Sequence, residues 1–160
     1  MNLHKIILEL MTLPQIEAIR LSIRKDYFKG FGWTSGGCFA FAEAISASLP
    51  TSELWIVGVQ TKGETDWTPN HAIVKFDGNF YDAKGQQSEK KLIKDFGWTN
   101  KGYKAKLGNV HEWLELEEPD CCWYPEQEFV REEEIHLIAK EFCKLAGLKA
   151  PRKIEPITTL

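Results

Sequence analysis

The segment that most constrains the fold of this chain is "GGCFAFAEAISASLP", which runs from Gly36 to Pro50. Between Cys38 and Leu49, apolar and small residues leave almost no polar face. A helix that is apolar nearly all round has to be covered by other elements, so it belongs inside a domain. Pro50 marks its end, because proline cannot continue a helix. The 160 residues of the chain are enough for one domain with such a core.

The segments that follow predict an antiparallel sheet next to this helix. "ELWIVGVQ" (53–60) is continuously apolar at its centre, which is typical of a central strand. "HAIVKFDGNFYDAKG" (71–85) has two strand-like runs on either side of Asp77-Gly78, a pair that favours a type I′ hairpin turn. We therefore predict an α+β fold, in which a buried helix with a cysteine at its N-terminus packs on an antiparallel β-sheet with flanking helices.

Other segments predict the remaining elements. Helices are expected at the N-terminus and at 12–30, 88–96 and 125–147, and strands at 103–108 and 111–118. Thr12 and Gln15 fit a capping box for the helix at 12–30, and Ser88 fits an N-cap for the helix at 88–96. Residues 1–150 are expected to form a single domain, and residues 151–160, which include two prolines, an extended tail.

Charge and composition argue against some classes of partner. The net charge is -3 and the pI is about 5.8, so the chain has no general electrostatic attraction for nucleic acids or anionic membranes. No run approaches the roughly 18 apolar residues of a membrane span, and no export signal is recognisable. The chain is therefore expected in the cytoplasm, without a nucleic acid or a membrane as partner.

The four cysteines are expected to be free, because cytoplasmic thiols stay reduced. They are Cys38, Cys121, Cys122 and Cys143. A zinc site built from these cysteines with His111 is the weaker alternative, since no CxxC spacing occurs. We therefore expect no metal and no organic cofactor.

Cys38 lies where the buried helix should begin. A thiol is a poor nucleophile until it loses its proton, and the unpaired N–H groups at a helix N-terminus stabilise the thiolate. Gly36 and Gly37 allow a sharp turn just before it. The same position suits a buried structural cysteine equally well, since free cysteines are among the most buried residues. This segment alone leaves both interpretations open.

The hairpin favours the catalytic interpretation. With a two-residue loop, Ile73 lies opposite Asp82, so His71 and Asp82 are diagonal neighbours on one face of the sheet. A slip of one residue would place Asp82 on the opposite face. Taken singly, a histidine at the start of a strand is most often a polar edge residue. An aspartate before a loop is most often a turn residue. The order Cys38, His71, Asp82 predicts a nucleophile, its base and the partner that orients the base.

The segments "GGCFAFAEAI" and "HAIVKFDGNFYDAKG" resemble the papain-like cysteine-enzyme superfamily in the broad sense, which includes transglutaminase-like and NlpC-like enzymes and small proteins of bacteria and their phages. The resemblance covers roughly residues 36–85. It implies that Cys38, His71 and Asp82 form a catalytic triad. Papain-like peptidases usually carry a glutamine several residues before the cysteine, and "KGFGWTSGG" has none. Trp33, Ser35 and Gly37 are therefore the candidate substrate-binding residues.

The expected function is that of a cysteine-dependent amide hydrolase or acyltransferase. Its substrate would be a protein or peptide that carries an amide. Its activity would be that of a peptidase, an isopeptidase, a deamidase or a transglutaminase-like enzyme. The alternative is a catalytically inactive papain-like binding module, or an inhibitor of a host protein, whose cleft lies near Trp33, Trp67 and Trp98. The sequence does not decide between hydrolysis, deamidation and transamidation, or identify the oligomeric state.

Overall fold

The structure is a computed structural model that describes residues 1–23, 33, 37–60, 63, 65, 67–112 and 130–154. Its α-helices include α1 (Leu3–Thr12), α2 (Pro14–Ser22), α3 (Cys38–Ser48), α4 (Glu89–Phe96) and α5 (Glu132–Ala146). The strands are β1 (Glu53–Gln60), β2 (Trp67–Phe76), β3 (Asn79–Asp82), β4 (Gly85–Gln87) and β5 (Lys104–Asn109). A short 3-10 helix spans Thr99–Lys101. The described part of the chain is thus α+β, as predicted.

All five strands form one sheet with the order β4-β3-β2-β1-β5, and every neighbouring pair is antiparallel. β1 lies between β2 and β5, as its continuous apolar pattern predicts. The turn between β2 and β3 has Asp77 at φ 49° and Gly78 at φ 78°, the left-handed conformations that a type I′ turn requires. Phe76 accordingly pairs with Asn79, which confirms the predicted register of this hairpin.

Helix α3 lies in the core, as its sequence predicts. It packs against β2, β1 and β3 and against α5, while α1 packs against α5 and β4. Phe41, Ala42, Ala44 and Ile45 each expose 1% or less of their surface. Burial of a side chain the size of Phe41 or Ile45 contributes about 1.5 to 3 kcal/mol. The apolar character of α3 therefore fixes its place between the sheet and α5.

A smaller apolar cluster joins the sheet to α4. Val57 of β1 and Ile73 of β2 bury their side chains with Leu92 of α4, and Phe96 packs against this group. Neighbouring residues of the same strands belong to the main core with α3, because side chains alternate between the two faces. The cluster fixes α4 on the sheet and brings Phe96 to β2.

The junction of α1 and α2 differs from the prediction. Thr12 is the last residue of α1, and its hydroxyl donates to the carbonyl of Glu9 at 2.7 Å. The predicted capping box of Thr12 and Gln15 is therefore wrong, and Leu13 occupies the N-cap of α2 without a side-chain cap. The residue before a proline favours an extended backbone, and Leu13 has ψ 132° ahead of Pro14. The helix predicted at 12–30 is also wrong at its end, because α2 ends at Ser22 and Ile23 has ψ 127°; residues 24–32 lie outside the described part.

Other predicted boundaries are shifted. β2 begins at Trp67, four residues before His71, and β4 was not predicted, because "GQQ" has no apolar alternation. Residues 110–112 are helical, so the predicted strand at 111–118 is wrong at its start, and 113–118 lie outside the described residues. The predicted N-terminal helix and the Ser88 cap are present. The helix predicted at 125–147 ends before Gly147 as expected, but it begins at Glu132, because residues 130 and 131 are not helical; residues 125–129 lie outside the described part.

The segment 151–154 runs beside α3 without regular structure. The N–H of Arg152 donates to the carbonyl of Ala47 at 2.9 Å, and Ile154 is 8% exposed. The remainder of the predicted tail, 155–160, lies outside the described residues. None of the helices in the described ranges is long and apolar enough to cross a membrane.

Candidate active site

His71 of β2 and Asp82, the last residue of β3, form a buried pair on neighbouring strands. Nε2 of His71 lies 3.1 Å from Oδ2 of Asp82, and the two residues expose 0% and 2% of their surface. The other carboxylate oxygen of Asp82 accepts the backbone N–H of Lys84 at 2.8 Å. This contact is the Asx-turn arrangement that favours aspartate before a turn. The hairpin register therefore brings His71 and Asp82 together on one face, as predicted, and the turn holds the carboxylate in place.

The carboxylate determines which nitrogen of His71 carries the proton. A carboxylate accepts hydrogen bonds, so Nε2 carries the hydrogen and donates it to Asp82. Nδ1 of the neutral ring is then left with its lone pair. Within the described part of the chain, Nδ1 has no hydrogen-bond partner, although it is buried. A buried polar atom of this kind costs stability, and it is a base available to accept a proton.

Cys38 is the neighbour of this base. It is the first residue of α3, with Gly37 as the N-cap, and it is 7% exposed. Burial on its own lowers the pKa of His71, but the hydrogen bond to Asp82 and the interaction with the Cys38 thiol outweigh it and raise that pKa. The thiol lies close enough to contribute to this shift, although it forms no hydrogen bond of normal geometry with Nδ1.

The main chain at the start of α3 supplies further donors. The first hydrogen bond that closes a helical turn runs from the N–H of Phe41 to the carbonyl of Gly37, at 3.1 Å. The N–H groups of Cys38, Phe39 and Ala40 precede it and have no acceptor within the helix. Donors of this type stabilise a negative charge that develops beside the helix end.

A bulge in β2 lies directly before His71. His71 pairs with Val57 and Pro69 pairs with Gly58, so Asn70 is the extra residue, without a partner in β1. A bulge bends a strand and re-aims its side chains. The bulge was not predicted, but Pro69 was an available signal, since proline inside a strand is confined to edges and bulges.

Phe96 covers one face of the imidazole. Its ring is stacked on His71, with centroids 3.7 Å apart and an interplanar angle of 11°. The side-chain amide of Asn70 donates to the carbonyl of Phe96, which ties the bulge to the end of α4. Sequence reasoning missed both residues. The spacing of Leu92 and Phe96, one helical turn apart, indicates a shared buried face but not the histidine that it covers.

The predicted substrate-binding residues have different surroundings. Trp33 is 6% exposed and packs on Phe41, with centroids 6.2 Å apart, so its ring belongs to the core. Gly37 directly precedes the thiol, with φ -98° and ψ -2°. Ser35 lies outside the described residues. Of these three, the structure places Gly37 beside Cys38, and the binding role of each stays a prediction.

Cys143 is the other cysteine in the described part of the chain. Cys143 is free, 4% exposed and part of α5, while Cys121 and Cys122 lie outside the described residues. In the described ranges, no three His, Cys, Asp or Glu residues are grouped so that they could hold a metal ion. The zinc alternative therefore gains no support from this part of the chain.

Comparison of the chain with protein-family models, with curated proteins and with solved structures found no match. What marks the site is its geometry. A histidine and a carboxylate are paired in the core, an aromatic ring covers the histidine, and a cysteine stands at the start of the neighbouring helix. This arrangement brings together a thiol, an imidazole and a carboxylate, the groups that nucleophilic cysteine chemistry uses.

Proposed function

We propose that the chain is a cysteine-dependent amide hydrolase or acyltransferase with a papain-like arrangement of Cys38, His71 and Asp82. The observation that carries the proposal concerns a buried histidine: Nε2 of His71 is bound to Asp82, and Nδ1 has no hydrogen-bond partner of normal geometry among the described residues. Burying such a pair costs desolvation energy, and apolar residues of similar size would serve stability as well or better. Paired, desolvated titratable groups of this kind are typical of catalytic sites.

The first half of the proposed reaction forms a thioester. Nδ1 of His71 accepts the thiol proton as the sulfur of Cys38 attacks the carbonyl carbon of an amide. The C=O electron pair moves onto oxygen, and N–H groups at the start of α3 stabilise the resulting charge. The carbonyl then re-forms, the C–N bond breaks, and the imidazolium gives its proton to the leaving amine.

The second half releases the acyl group. Water or an amine attacks the thioester carbon, and Nδ1 of His71 takes the proton of this nucleophile. The C–S bond breaks, and the sulfur of Cys38 regains the proton from the imidazolium. Throughout, Asp82 holds the imidazole in the tautomer with hydrogen on Nε2 and stabilises its charged form. Water as the acceptor gives hydrolysis or deamidation, and an amine gives transamidation.

The exposure of the site bears on the substrate. Cys38 exposes 7% of its surface and His71 none. An amide on a narrow extension, such as a glutamine side chain or an extended chain end, reaches a thiol of this kind more readily than an amide within a folded segment. The proposal therefore favours protein or peptide substrates that present the amide on such an extension.

The second candidate is an inactive papain-like binding module. Cys38 is nearly as buried as Cys143 of α5, with 7% against 4% exposed, which is what a structural thiol would show. Trp98, beyond the end of α4, is 42% exposed and supplies an aromatic contact for a partner. Reactivity of the thiol separates the two functions, because burial alone does not.

The deciding experiment is alkylation by iodoacetamide at mildly acidic pH, with the modified cysteines mapped by mass spectrometry. The enzyme requires Cys38 to react at least about tenfold faster than Cys143, since the thiolate is the reacting form. His71→Gln should lower the rate at Cys38 towards that at Cys143. The matched control is His136→Gln, because His136 is a half-exposed histidine of α5. Equal rates at the two cysteines in the folded wild-type protein would rule out the enzyme.

A further inference from the structure

The loop that follows α4 presents an exposed tryptophan. Trp98 is 42% exposed, and its backbone is left-handed, with φ 50° and ψ 32°. A bulky side chain rarely adopts this conformation, because it is sterically unfavourable. Such conformations persist only where the surrounding structure imposes them, and they concentrate at functional sites. The position of this side chain therefore requires an explanation.

Packing and hydrogen bonds impose the conformation of the loop. Gly97 is buried, and a Cβ there would lie 2.6 Å from Cβ of Ala105 and closer still to the carbonyl oxygen of Ile93. Only glycine thus allows α4 to end so close to β5. The N–H of Gly97 donates to Ile93 at 2.8 Å, and the N–H of Lys101 donates to the carbonyl of Trp98 at 2.9 Å. The loop is therefore pre-organised, which lowers the entropy lost when a partner covers Trp98.

A second ring and an ammonium group lie beside this tryptophan. The ring centroids of Trp98 and Tyr103 are 5.9 Å apart, with an interplanar angle of 56°. Nζ of Lys101 lies 5.6 Å from the centroid of the Trp98 ring, and Lys101 is exposed. We call these three residues the Trp98 patch. The rings offer a contact for an apolar side chain, and the ammonium group offers one for a carboxylate.

The charge around the patch has one sign. Residues 96–111 contain three lysines and neither aspartate nor glutamate, although the whole chain has a net charge of -3. The three, Lys101, Lys104 and Lys106, are all exposed. Lys101 and Lys104 form no ion pair with the described part of the chain. Charges of one sign within about 10 Å of each other act together on an anionic partner.

We propose that the Trp98 patch docks an extended acidic segment of a protein partner. Carboxylates of this segment pair with Lys101 and Lys104, and an apolar side chain of the segment lies against the ring of Trp98. Charge complementarity selects the acidic partner, and the pre-organised ring provides an anchor of the kind that concentrates binding energy at interfaces.

The patch lies beside the proposed active site. Trp98 follows Phe96 by two residues, so their Cα atoms are at most about 8 Å apart, and the ring of Phe96 is stacked on His71. A partner docked on Trp98 is thus held close to the proposed base. The identification of this partner as the protein substrate rests on the proposed function, whereas the docking itself does not.

A nucleic acid fits the patch less well. Arginine is the residue of choice for nucleic-acid recognition, because its planar group binds phosphate bidentately, and residues 96–111 contain no arginine. The net charge of -3 also repels a polyanion as a whole. A short acidic segment, by contrast, needs only the local lysines.

The test of docking is an NMR titration of the ¹⁵N-labelled full chain with a short peptide that has glutamates on both sides of one phenylalanine. We expect saturable shifts in the indole N–H signal of Trp98 and in the amide signals of residues 97–104. The same peptide with glutamine in place of every glutamate should bind about tenfold or more weakly, and added salt should weaken the acidic peptide alone. Equal affinity for the two peptides, or tighter binding of a single-stranded oligonucleotide of the same charge, would overturn the proposal.

Variants locate the binding. Trp98→Ala, and Lys101→Gln combined with Lys104→Gln, should each weaken binding of the acidic peptide about tenfold. Trp98→Phe keeps a ring and should retain most of the affinity. The matched controls are Leu21→Ala, at an apolar side chain of α2 that is 51% exposed, and Lys153→Gln, at an exposed lysine. Both should bind like the wild type, and unchanged binding in Trp98→Ala would refute the role of the patch.

Kinetics test whether the partner is the substrate. A glutamine-containing peptide that carries the acidic segment should have a KM about tenfold lower than its neutral counterpart, with kcat unchanged, because the added contacts exist in ground state and transition state alike. Trp98→Ala should remove this difference and leave turnover of the neutral peptide unchanged. An acidic segment that binds without lowering KM would overturn its identification as part of the substrate. Binding to a chain whose Cys38 proves unreactive would refute the proposed function and support the docking surface.

Discussion

The ring of Phe96 lies flat on the imidazole of His71, with their centroids 3.7 Å apart. The two residues come from different elements, the end of α4 and the bulge of β2. The stacked ring keeps water from one face of the imidazole, so its hydrogen bond to Asp82 lies in a medium of low dielectric, where such bonds are stronger. The proposed base therefore depends on a residue that takes no part in proton transfer.

Loss of this cover should weaken both stability and activity. Phe96→Ala removes a half-buried ring, and we expect the free energy of unfolding to fall by about 2 kcal/mol, less than for a fully buried phenylalanine. The value of kcat/KM should fall by roughly tenfold or more, because the imidazole gains access to water. Phe96→Tyr keeps the stacked ring and should restore most of both. Trp98→Ala, at an exposed neighbour, is the control, and an equal loss there would contradict the role given to Phe96.

The three site residues should differ in their contributions. Cys38→Ala should abolish turnover and change the free energy of unfolding little, since alanine fits the space. Asp82→Ala leaves the buried Nε2 of His71 without its acceptor, so unfolding should become about 1 to 3 kcal/mol easier. Its activity should fall by roughly 10²- to 10⁴-fold, less than for Cys38→Ala. Urea denaturation and steady-state kinetics on glutamine-containing peptides measure these effects, with Cys143→Ala as the control for loss of a buried thiol. An Asp82→Ala variant with wild-type activity would remove Asp82 from the site.

The titration of His71 should report its two neighbours. Its pKa is raised above 6.5, because the effects of Asp82 and Cys38 exceed that of burial. Asp82→Asn and Cys38→Ala should therefore each lower it, as measured by NMR of the labelled imidazole. An unchanged value in Cys38→Ala would show that the thiol and the ring are not neighbours.

The same shift predicts how stability depends on pH. A histidine whose folded pKa is raised stabilises the fold fully below its unfolded value of 6.5 and loses this contribution as the pH rises through the folded value. The stability lost in His71→Gln should thus be larger below pH 6.5 than at alkaline pH. A difference that is constant with pH would contradict the raised value.

Glu43, buried in α3, should give a dependence of the same direction, but beginning at lower pH. Its folded pKa of about 7 exceeds the unfolded value of 4.5, so the wild-type protein loses stability as the pH rises between these values. Because glutamine does not ionise, Glu43→Gln should gain up to about 3 kcal/mol relative to wild type between pH 4.5 and pH 7. Urea denaturation across this interval measures the gain. Glu53→Gln, which removes an exposed carboxylate, should show no comparable gain.

The contact between α1 and the turn after Asp82 should be sensitive to one glycine. Gly85 has φ 90°, and a Cβ there would lie 2.2 Å from Nδ1 of His4. His4 also accepts the N–H of Gln86 at 2.9 Å. We expect Gly85→Ala to lower the free energy of unfolding by more than the roughly 1 to 2 kcal/mol of left-handed strain, because the new Cβ also clashes with His4. Gly78→Ala should cost only that strain, because a Cβ at Gly78 meets no atom. Adding His4→Ala to Gly85→Ala should recover the cost of the clash but not the strain. Thermal unfolding of Gly78→Ala, Gly85→Ala and this double variant measures the difference.

Much of the site was readable from local patterns. The two-residue turn at Asp77-Gly78 determines which residues of the hairpin face each other, so the pairing of His71 with Asp82 follows from counting. The continuous apolar run of β1 and the apolar character of α3 likewise indicate that both elements are buried. The failed capping box at Thr12 shows the limit, because a proline two residues later changes where the helix ends.

Only the tertiary structure determines the contacts between residues that are far apart in the chain. Phe96 covers His71 because α4 packs on the sheet beside a bulge, and nothing in the local pattern of either segment specifies that meeting. Glu43 is the charged residue of a largely apolar helix, but its burial, without a hydrogen-bond partner among the described residues, depends on how β1, β5 and residues 152–154 pack beside it. Periodicity and turn chemistry act over a few residues, so they determine which face a side chain occupies. Which groups meet on that face depends on how the elements pack, and the sequence carries this information only through all of its contacts together.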